Sequence, residues 1–381
     1  MEAVKTQAME KFQEVIQNRH QYARDWKART GGKVVGYLCT YVPEEVMYAA
    51  GILPVRVLGS HEVQDLTEPH IFGMYCPYCR DCLAQGLQGR YEYLDGITYA
   101  HCCVHIRQTF ESWRRHVPTP FSHYLYAPPH VQRPSARIAF AAELGEFKRA
   151  LEEWLGKPIT DEALDEAIEI YNTNRRLLGQ VYEMRKANPP PLSGAETMEM
   201  VKADIFMDRR EHNQLLEQLL EELPARDSGA DPGVRLMVVG SEDDDTDFLC
   251  FIESQGATVV IDDHCIGTRY FMAEVAQEPD RLQAIANRYL NKPACPIKDL
   301  AEDRLRTPHI LKLAQDYDVQ AAILIQQKFC DPHQYDMPIV RQMLQENGIP
   351  SLILETDVTI PVGQFHTRIE AFLETLEADI V

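Results

Sequence analysis

Apolar residues recur at intervals of three and four over residues 4–29, where Met9, Phe12, Val15, Ile16, Tyr22 and Trp26 fall on one face, so the chain is expected to open on a helix. The pattern then changes. GGKVVGYLCTYVP gives a glycine start, a short apolar run and a turn ending in proline, the signature of a strand; EEVMYAAG follows as a helix closed by Gly51, and ILPVRVLG as a second strand. This β-α-β unit sets Cys39 at the carboxyl end of its first strand, where open α/β sheets tend to bind ligands. YLDGITYAHCC repeats the logic, with an apolar stretch running into Cys102 and Cys103 and VHIRQTFESWRRHV continuing as a helix. In the intervening IFGMYCPYCRDCLAQGL, Pro77 precedes another helix and leaves Cys76 near its N-terminus, where backbone N–H groups favour a thiolate.

Residues 143–187 and 194–223 are strongly helical in pattern, with Leu164, Ile168, Tyr171, Leu178 and Tyr182 spaced by three or four and the stiff turn ANPPPLSG between them. PARDSGADPG reads as a linker. Beyond it come a strand at 234–239, a helix at about 245–255, the strand ATVVIDDHC and helix-rich sequence to 290. A helix and strand in KLAQDYDVQAAILIQQKFC, the strand IPSLILETD and a C-terminal helix complete the chain. The expected fold is α/β: Rossmann- or flavodoxin-like parallel-sheet domains at 1–140 and 231–381, joined by a helical segment and linker at 141–230, with both sheets turning their carboxyl edges to one cleft.

Composition narrows the function. A length of 381 residues, 45% apolar and 25% charged, is that of a soluble globular chain with two or three domains. Lys+Arg 38 against Asp+Glu 58 leaves a net charge of −20, which disfavours nucleic acid or an anionic membrane as the main partner. The N-terminal segment lacks the apolar core of a signal peptide and no run reaches the roughly 18 apolar residues of a membrane span, so the cytoplasm is the expected compartment. Disulfides explain ten cysteines poorly there, because cytosolic thiols are kept reduced. Cys250, in DFLCFIE, reads as a small buried hydrophobe.

Six other cysteines sit beside turn-forming residues across most of the chain: Cys39, Cys76, Cys103, Cys265, Cys295 and Cys330. Zinc ribbons and bacterial ferredoxins concentrate their ligands in one short segment, whereas a cluster between two domains draws single thiolates from separated strand ends. CPYCRDC lacks the second cysteine pair of a zinc site and the surrounding pattern of a thioredoxin. GSEDDDTDF lacks the Lys-Ser/Thr ending and the glycine spacing of a phosphate loop, and reads as a solvated turn with N-capping carboxylates, which disfavours nucleotide hydrolysis. His105 and His333 follow Cys103 and Cys330 closely, and either hydrogen-bond a sulfur or backbone group or serve as proton donors. Glu44 and Glu45 read as helix N-terminal charges.

VVGYLCTYVPEEVMYAAGILPVRVLG, CVHIRQTFESW, VVIDDHCIGTRYF and KFCDPHQYDMPIVRQMLQENGIPSLILETD resemble, in order and over nearly the whole chain, the 2-hydroxyacyl-CoA dehydratase and benzoyl-CoA reductase family. HIFGMYCPYCRDCLAQGLQGRYEYLDG is more similar to the ATP-dependent benzoyl-CoA reductases, and the length to the smaller of their two cluster-bearing subunits. The resemblance implies an iron-sulfur cluster between the two domains. Cys39, Cys103 and Cys330 would hold a 4Fe-4S cubane, and Cys76, Cys265 and Cys295 would either extend this to a double-cubane 8Fe-9S cluster or be ordinary buried thiols. It further implies an oxidoreductase subunit acting on an acyl-CoA substrate, a homologous second cluster-bearing subunit, and a separate ATP-hydrolysing iron-sulfur activator. The expected reaction is dearomatisation of benzoyl-CoA or a related aryl-CoA. The alternatives are 2-hydroxyacyl-CoA dehydration, double-cubane reduction of small molecules, and electron relay without catalysis.

Overall fold

Two parallel sheets organise the computed structural model of the chain, which describes residues 6–226, 232–299 and 302–378. The first contains β1 (Lys33–Leu38), β2 (Ile52–Arg56), β3 (Gly96–Ala100) and β4 (Phe121–Leu125) in the order β2-β1-β3-β4. The second contains β5 (Val234–Gly240), β6 (Ala257–Asp263), β7 (Ala321–Gln327) and β8 (Ser351–Thr356) in the order β6-β5-β7-β8. All the pairings are parallel. β5 and β7 are buried along their whole length, as their apolar runs require of parallel strands covered on both faces. Both sheets reverse their winding beside the first strand, which opens a crevice at the carboxyl ends of β1 and β3 in one sheet and of β5 and β7 in the other.

The edge strand β4 was not anticipated: FSHYL is only partly buried and carries polar residues, so it lacks the apolar run that marked its neighbours. The first expected helix is two, α1 (Gln7–Gln17) and α2 (Arg19–Thr30), parting at Asn18. Helices α3 (Glu44–Ala49), α4 (Pro77–Leu87) and α5 (Val104–His116) lie where the pattern put them. The helical pattern over 143–187 belongs to two helices, α6 (Pro134–Leu155) and α7 (Asp161–Met184), because Gly156 takes a left-handed φ of +67° and Pro158 follows. The stretch 194–223 likewise divides into α8 (Gly194–Asp204), opened by a Ser193–Glu196 capping box, and α9 (Arg209–Glu222), capped by Asp208. The expected linker at 224–233 falls mostly outside the described residues, since 227–231 are not described.

The second sheet is accompanied by α10 (Thr246–Glu253), α11 (Thr268–Phe271), α12 (Arg281–Asn291), α13 (Arg306–Asp316), α14 (Asp331–Glu346) and α15 (Val362–Ala378). Helix α6 packs on β4 from one lobe and on α12 from the other, so the helical segment bridges both. No helix among the described residues is long and apolar enough to cross a membrane.

Two local readings are corrected. Cys250 is exposed, because α10 turns Phe248, Leu249 and Ile252 inward and leaves Cys250 on its outer face. The acidic turn before α10 is not solvated: Asp245 caps Phe248 N–H at 3.1 Å as expected, but Asp243 and Asp244 are buried, and Asp244 ion-pairs with His61 at 2.8 Å.

Close strand packing makes one position intolerant. A Cβ at Gly240, whose φ is +151°, would lie 2.1 Å from the Ile325 carbonyl oxygen on β7. Gly240→Ala is therefore expected to destabilise the fold by about 1–3 kcal/mol. An unchanged urea midpoint would contradict that packing.

Candidate metal centre

The six singled-out cysteines stand on separate elements. Cys39 directly follows β1 and holds a left-handed φ of +75°, a strained conformation for a non-glycine residue. Cys103 follows β3 and is the N-cap of α5; Cys76 is the N-cap of α4; Cys330 is the N-cap of α14, just past β7. Cys265 lies two residues beyond β6, and Cys295 opens the short 3-10 turn Pro296–Lys298. All six line one cavity of about 70 Å³ between the lobes, together with Cys79 and Cys102, so eight of the ten cysteines meet there.

The thiols contact one another. Cys39 neighbours Cys102, and that interaction together with burial pushes the Cys39 thiol well above its ordinary range. Cys102 also neighbours Cys103, while Cys76 neighbours both Cys330 and Cys79. The cage is fixed from behind: the Tyr99 hydroxyl accepts Cys102 N–H at 2.9 Å and donates to the Cys103 carbonyl at 3.0 Å. Gln327, on β7, accepts from Cys76 Sγ and from Tyr78 N–H, both at 3.0 Å, and so couples the second sheet to the start of α4. Cys82 turns away, its Sγ 3.5 Å from the Val57 carbonyl oxygen.

The sequence reading did not single out Cys79 as a lining residue, and placed Cys102 only at a strand end beside Cys103. Cys79 stands three residues after Cys76 on α4, the spacing that puts two side chains on one helix face, and that signal was available. Among the described residues, no three His, Cys, Asp or Glu side chains converge as a single metal ion demands. The thiols instead surround a void.

The surroundings attract negative charge. Three helices, α4, α5 and α14, begin at the cage with Cys76, Cys103 and Cys330 at their N-cap positions, so the positive ends of their dipoles lie beside it. Arg56, Arg269, Lys292 and Lys298 are buried nearby, at 2% exposure or less. Arg56 pairs with Glu242 at 2.7 Å, and Arg269 donates to the Gly240 carbonyl. Their Nε groups have no hydrogen-bond partner, an arrangement that costs free energy unless an acceptor fills the space. Burial pulls Lys292 down to about 7, opposed by the nearby thiols Cys39 and Cys265.

The two histidines differ. His333 is 4% exposed and lies 3.5 Å from the Arg269 guanidinium, which can only donate; its Nε2 must accept, so the proton is on Nδ1, which has no partner. Burial, then Arg269 and Arg306, hold this ring well below its usual range, so it stays neutral and offers one N–H. His105 accepts Cys76 N–H on Nδ1 at 3.2 Å, which puts its proton on Nε2, 3.8 Å from Asp331 at the exposed rim of the cage. A larger cavity of about 950 Å³ lies elsewhere, between α7 and the loop before α12, and its arginines are ion-paired: Arg176 with Glu274 at 2.8 Å and Arg281 with Asp165 at 2.8 Å.

Residues 39–376 match the family described as 2-hydroxyglutaryl-CoA dehydratase, D-component. The chain belongs to that family. Within it, the chain is 26% identical to the (R)-phenyllactyl-CoA dehydratase beta subunit of Clostridium sporogenes, covering 96% of this chain and 97% of that one. It is 28% identical to a benzoyl-CoA reductase subunit of Thauera aromatica, covering 86% of each. It is 27% identical to the beta subunit of (R)-2-hydroxyglutaryl-CoA dehydratase from Acidaminococcus fermentans, covering 97% and 98%. The family thus spans subunits of dehydratases and reductases that act on acyl-CoA thioesters. A solved GTP-binding protein from Sulfolobus solfataricus aligns at a TM-score of 0.23 and 9% identity, a similarity that carries no argument.

Proposed function

We propose that this chain is the iron-sulfur subunit of a low-potential enzyme acting on an acyl-CoA thioester. Cys39, Cys103 and Cys330 hold the cluster, and Cys76, Cys265 and Cys295 hold its second half. The observation that carries this reading is the gathering of eight thiols from both lobes around one cavity, beside buried cations and unpartnered N–H donors. Thiolates are the soft ligands that iron-sulfur clusters take. One cubane is held by about four thiolates, so the larger number favours two joined cubanes. Bound there, such a cluster supplies single electrons at low potential.

The chain's own part is to bury that centre, exclude water and present a proton. Of the two histidines, His105 is the better placed donor, with Nε2–H at the rim. His333 serves as a fixed N–H donor inside. The reaction proposed is two-electron dearomatisation of benzoyl-CoA or a related aryl-CoA to a cyclic dienoyl-CoA. A homologous second subunit and an ATP-hydrolysing activator are the partners. A second reading, dehydration of a 2-hydroxyacyl-CoA, is favoured by the end-to-end alignment with dehydratase beta subunits, against 86% for the reductase subunit.

Anaerobic iron and acid-labile sulfide analysis tests the cofactor: roughly eight irons per chain are expected, and roughly four would reduce the assignment to a single cubane. With partner subunits, ATP and reductant, formation of a dienoyl thioester from benzoyl-CoA supports the reductase. Loss of water from a 2-hydroxyacyl-CoA, with benzoyl-CoA untouched, replaces it with the dehydratase.

A further inference from the structure

Three buried cations stand behind the thiols that line the cage, without an ion-paired carboxylate of their own. Arg269, Lys292 and Lys298 are 1%, 2% and 0% exposed, and among the described residues none forms an ion pair with Asp or Glu, whereas neighbouring Arg56 and Arg306 do so at 2.7 Å and 2.9 Å. Backbone carbonyls hold them instead. Lys292 Nζ donates to Thr40 O at 2.9 Å and to Arg269 O at 3.1 Å, and Lys298 Nζ donates to the carbonyls of His101, Ala127 and Pro128. Thr40 adjoins Cys39 and His101 adjoins Cys102, so each lysine carries a charge from the second lobe to the cysteine-bearing turns of the first.

Tyr41 fixes their spacing. Its ring lies 4.4 Å from Lys292 Nζ and 5.4 Å from Lys298 Nζ, and its hydroxyl accepts Cys295 N–H at 3.2 Å. Arg269, on the same lobe as the two lysines, lies between the Gly240 carbonyl and the ring of His333, with its Nε unpartnered. Carbonyls solvate a cation but do not neutralise it. Asp263 and Glu242 act on Arg269 without pairing with it, and burial opposes the charge on both lysines while the nearby thiols favour it, so all three groups couple to a negative occupant of the adjoining space more strongly than they would in water.

We propose that Arg269, Lys292 and Lys298 form a fixed set of positive charges that stabilises the reduced, more negative state of the cage's cluster and thereby sets its midpoint potential. This rests on the cluster assignment above. Adding one electron raises the negative charge inside the ring, and charge near a cluster is one of the terms that fix its potential. The role is positioning and electrostatic tuning, with no contact to substrate required.

The test uses the full-length chain, purified and reconstituted anaerobically, with Lys292→Gln and Arg269→Gln, which keep amide donors while removing the charge. Iron and sulfide content and the midpoint from an EPR-monitored titration are read for each. The expected result is unchanged content with reduction disfavoured about tenfold, roughly 59 mV more negative for one electron. An unmoved midpoint at full content overturns the proposal and leaves these residues as carbonyl caps. If the Gln variants lose the cluster, Lys292→Arg and Arg269→Lys decide: retention in the charge-preserving pair supports the proposal, and loss in those too overturns it. A wild-type chain that binds no iron or sulfide removes the cluster assignment itself, a separate outcome.

Discussion

Alanine at Cys39, Cys103 or Cys330, introduced singly, is expected to reduce bound iron and acid-labile sulfide to near background, while Cys250→Ala retains the wild-type content. The three thiols arrive on different elements, from the ends of β1, β3 and β7, and each is fixed by the backbone that carries it. Cys39 is held in a left-handed turn, Cys103 between Tyr99 and the start of α5, and Cys330 after Phe329, which also has a positive φ of 60°. A neighbouring side chain cannot take such a place without moving a strand end. Cys102 neighbours both Cys39 and Cys103 and is placed to stand in for Cys103, so Cys102→Ala/Cys103→Ala closes that route. Cys250, exposed on α10, lies apart from the cage and serves as the control. Full iron content in all three single variants would sink the ligand assignment.

The cage was legible because a parallel sheet concentrates its chemistry at one edge, and that edge can be read from local pattern. An apolar run followed by Cys39, or by Cys102 and Cys103, locates a strand end without any knowledge of the partner lobe. What the sequence hid are interactions that close only across the fold. Glu44 and Glu45 stand in the first turn of α3, as read, yet they are 3% and 0% exposed. Glu45 is paired with Arg175 and hydrogen-bonded by Tyr289, and Glu44 with Arg209 and Tyr270, partners 130 to 244 residues away. The acidic turn at Asp243 and Asp244 was misread for the same reason: His61, which neutralises Asp244, lies on the other lobe. An edge strand such as β4, half exposed and polar, leaves too little apolar signal to be seen.

Arg209→Leu is expected to cost about 3–5 kcal/mol in chemical unfolding, the range for removing one partner of a buried ion pair. Arg209 is 2% exposed; its guanidinium pairs with Glu44 at 3.0 Å and with Asp204, and donates to the Tyr270 hydroxyl at 2.6 Å. Asp204 keeps His212 at 2.9 Å when the arginine is gone, whereas Glu44 keeps only the Tyr270 hydroxyl and remains buried. Burial already raises the Glu44 carboxyl above its ordinary value, with Arg209 opposing that rise, so the variant should raise it further. The sign follows: a carboxyl whose folded pKa exceeds its unfolded value destabilises the fold when ionised. That penalty is present above the folded pKa and fades as pH falls through it towards the unfolded value of about 4.3. The deficit of Arg209→Leu should therefore shrink on acidification, and Glu44→Gln in the same background should recover part of it at neutral pH. A deficit that stays constant with pH and is unaffected by Glu44→Gln would mean that lost packing, and not the stranded carboxylate, links α3 to α9 and α11 behind Cys39.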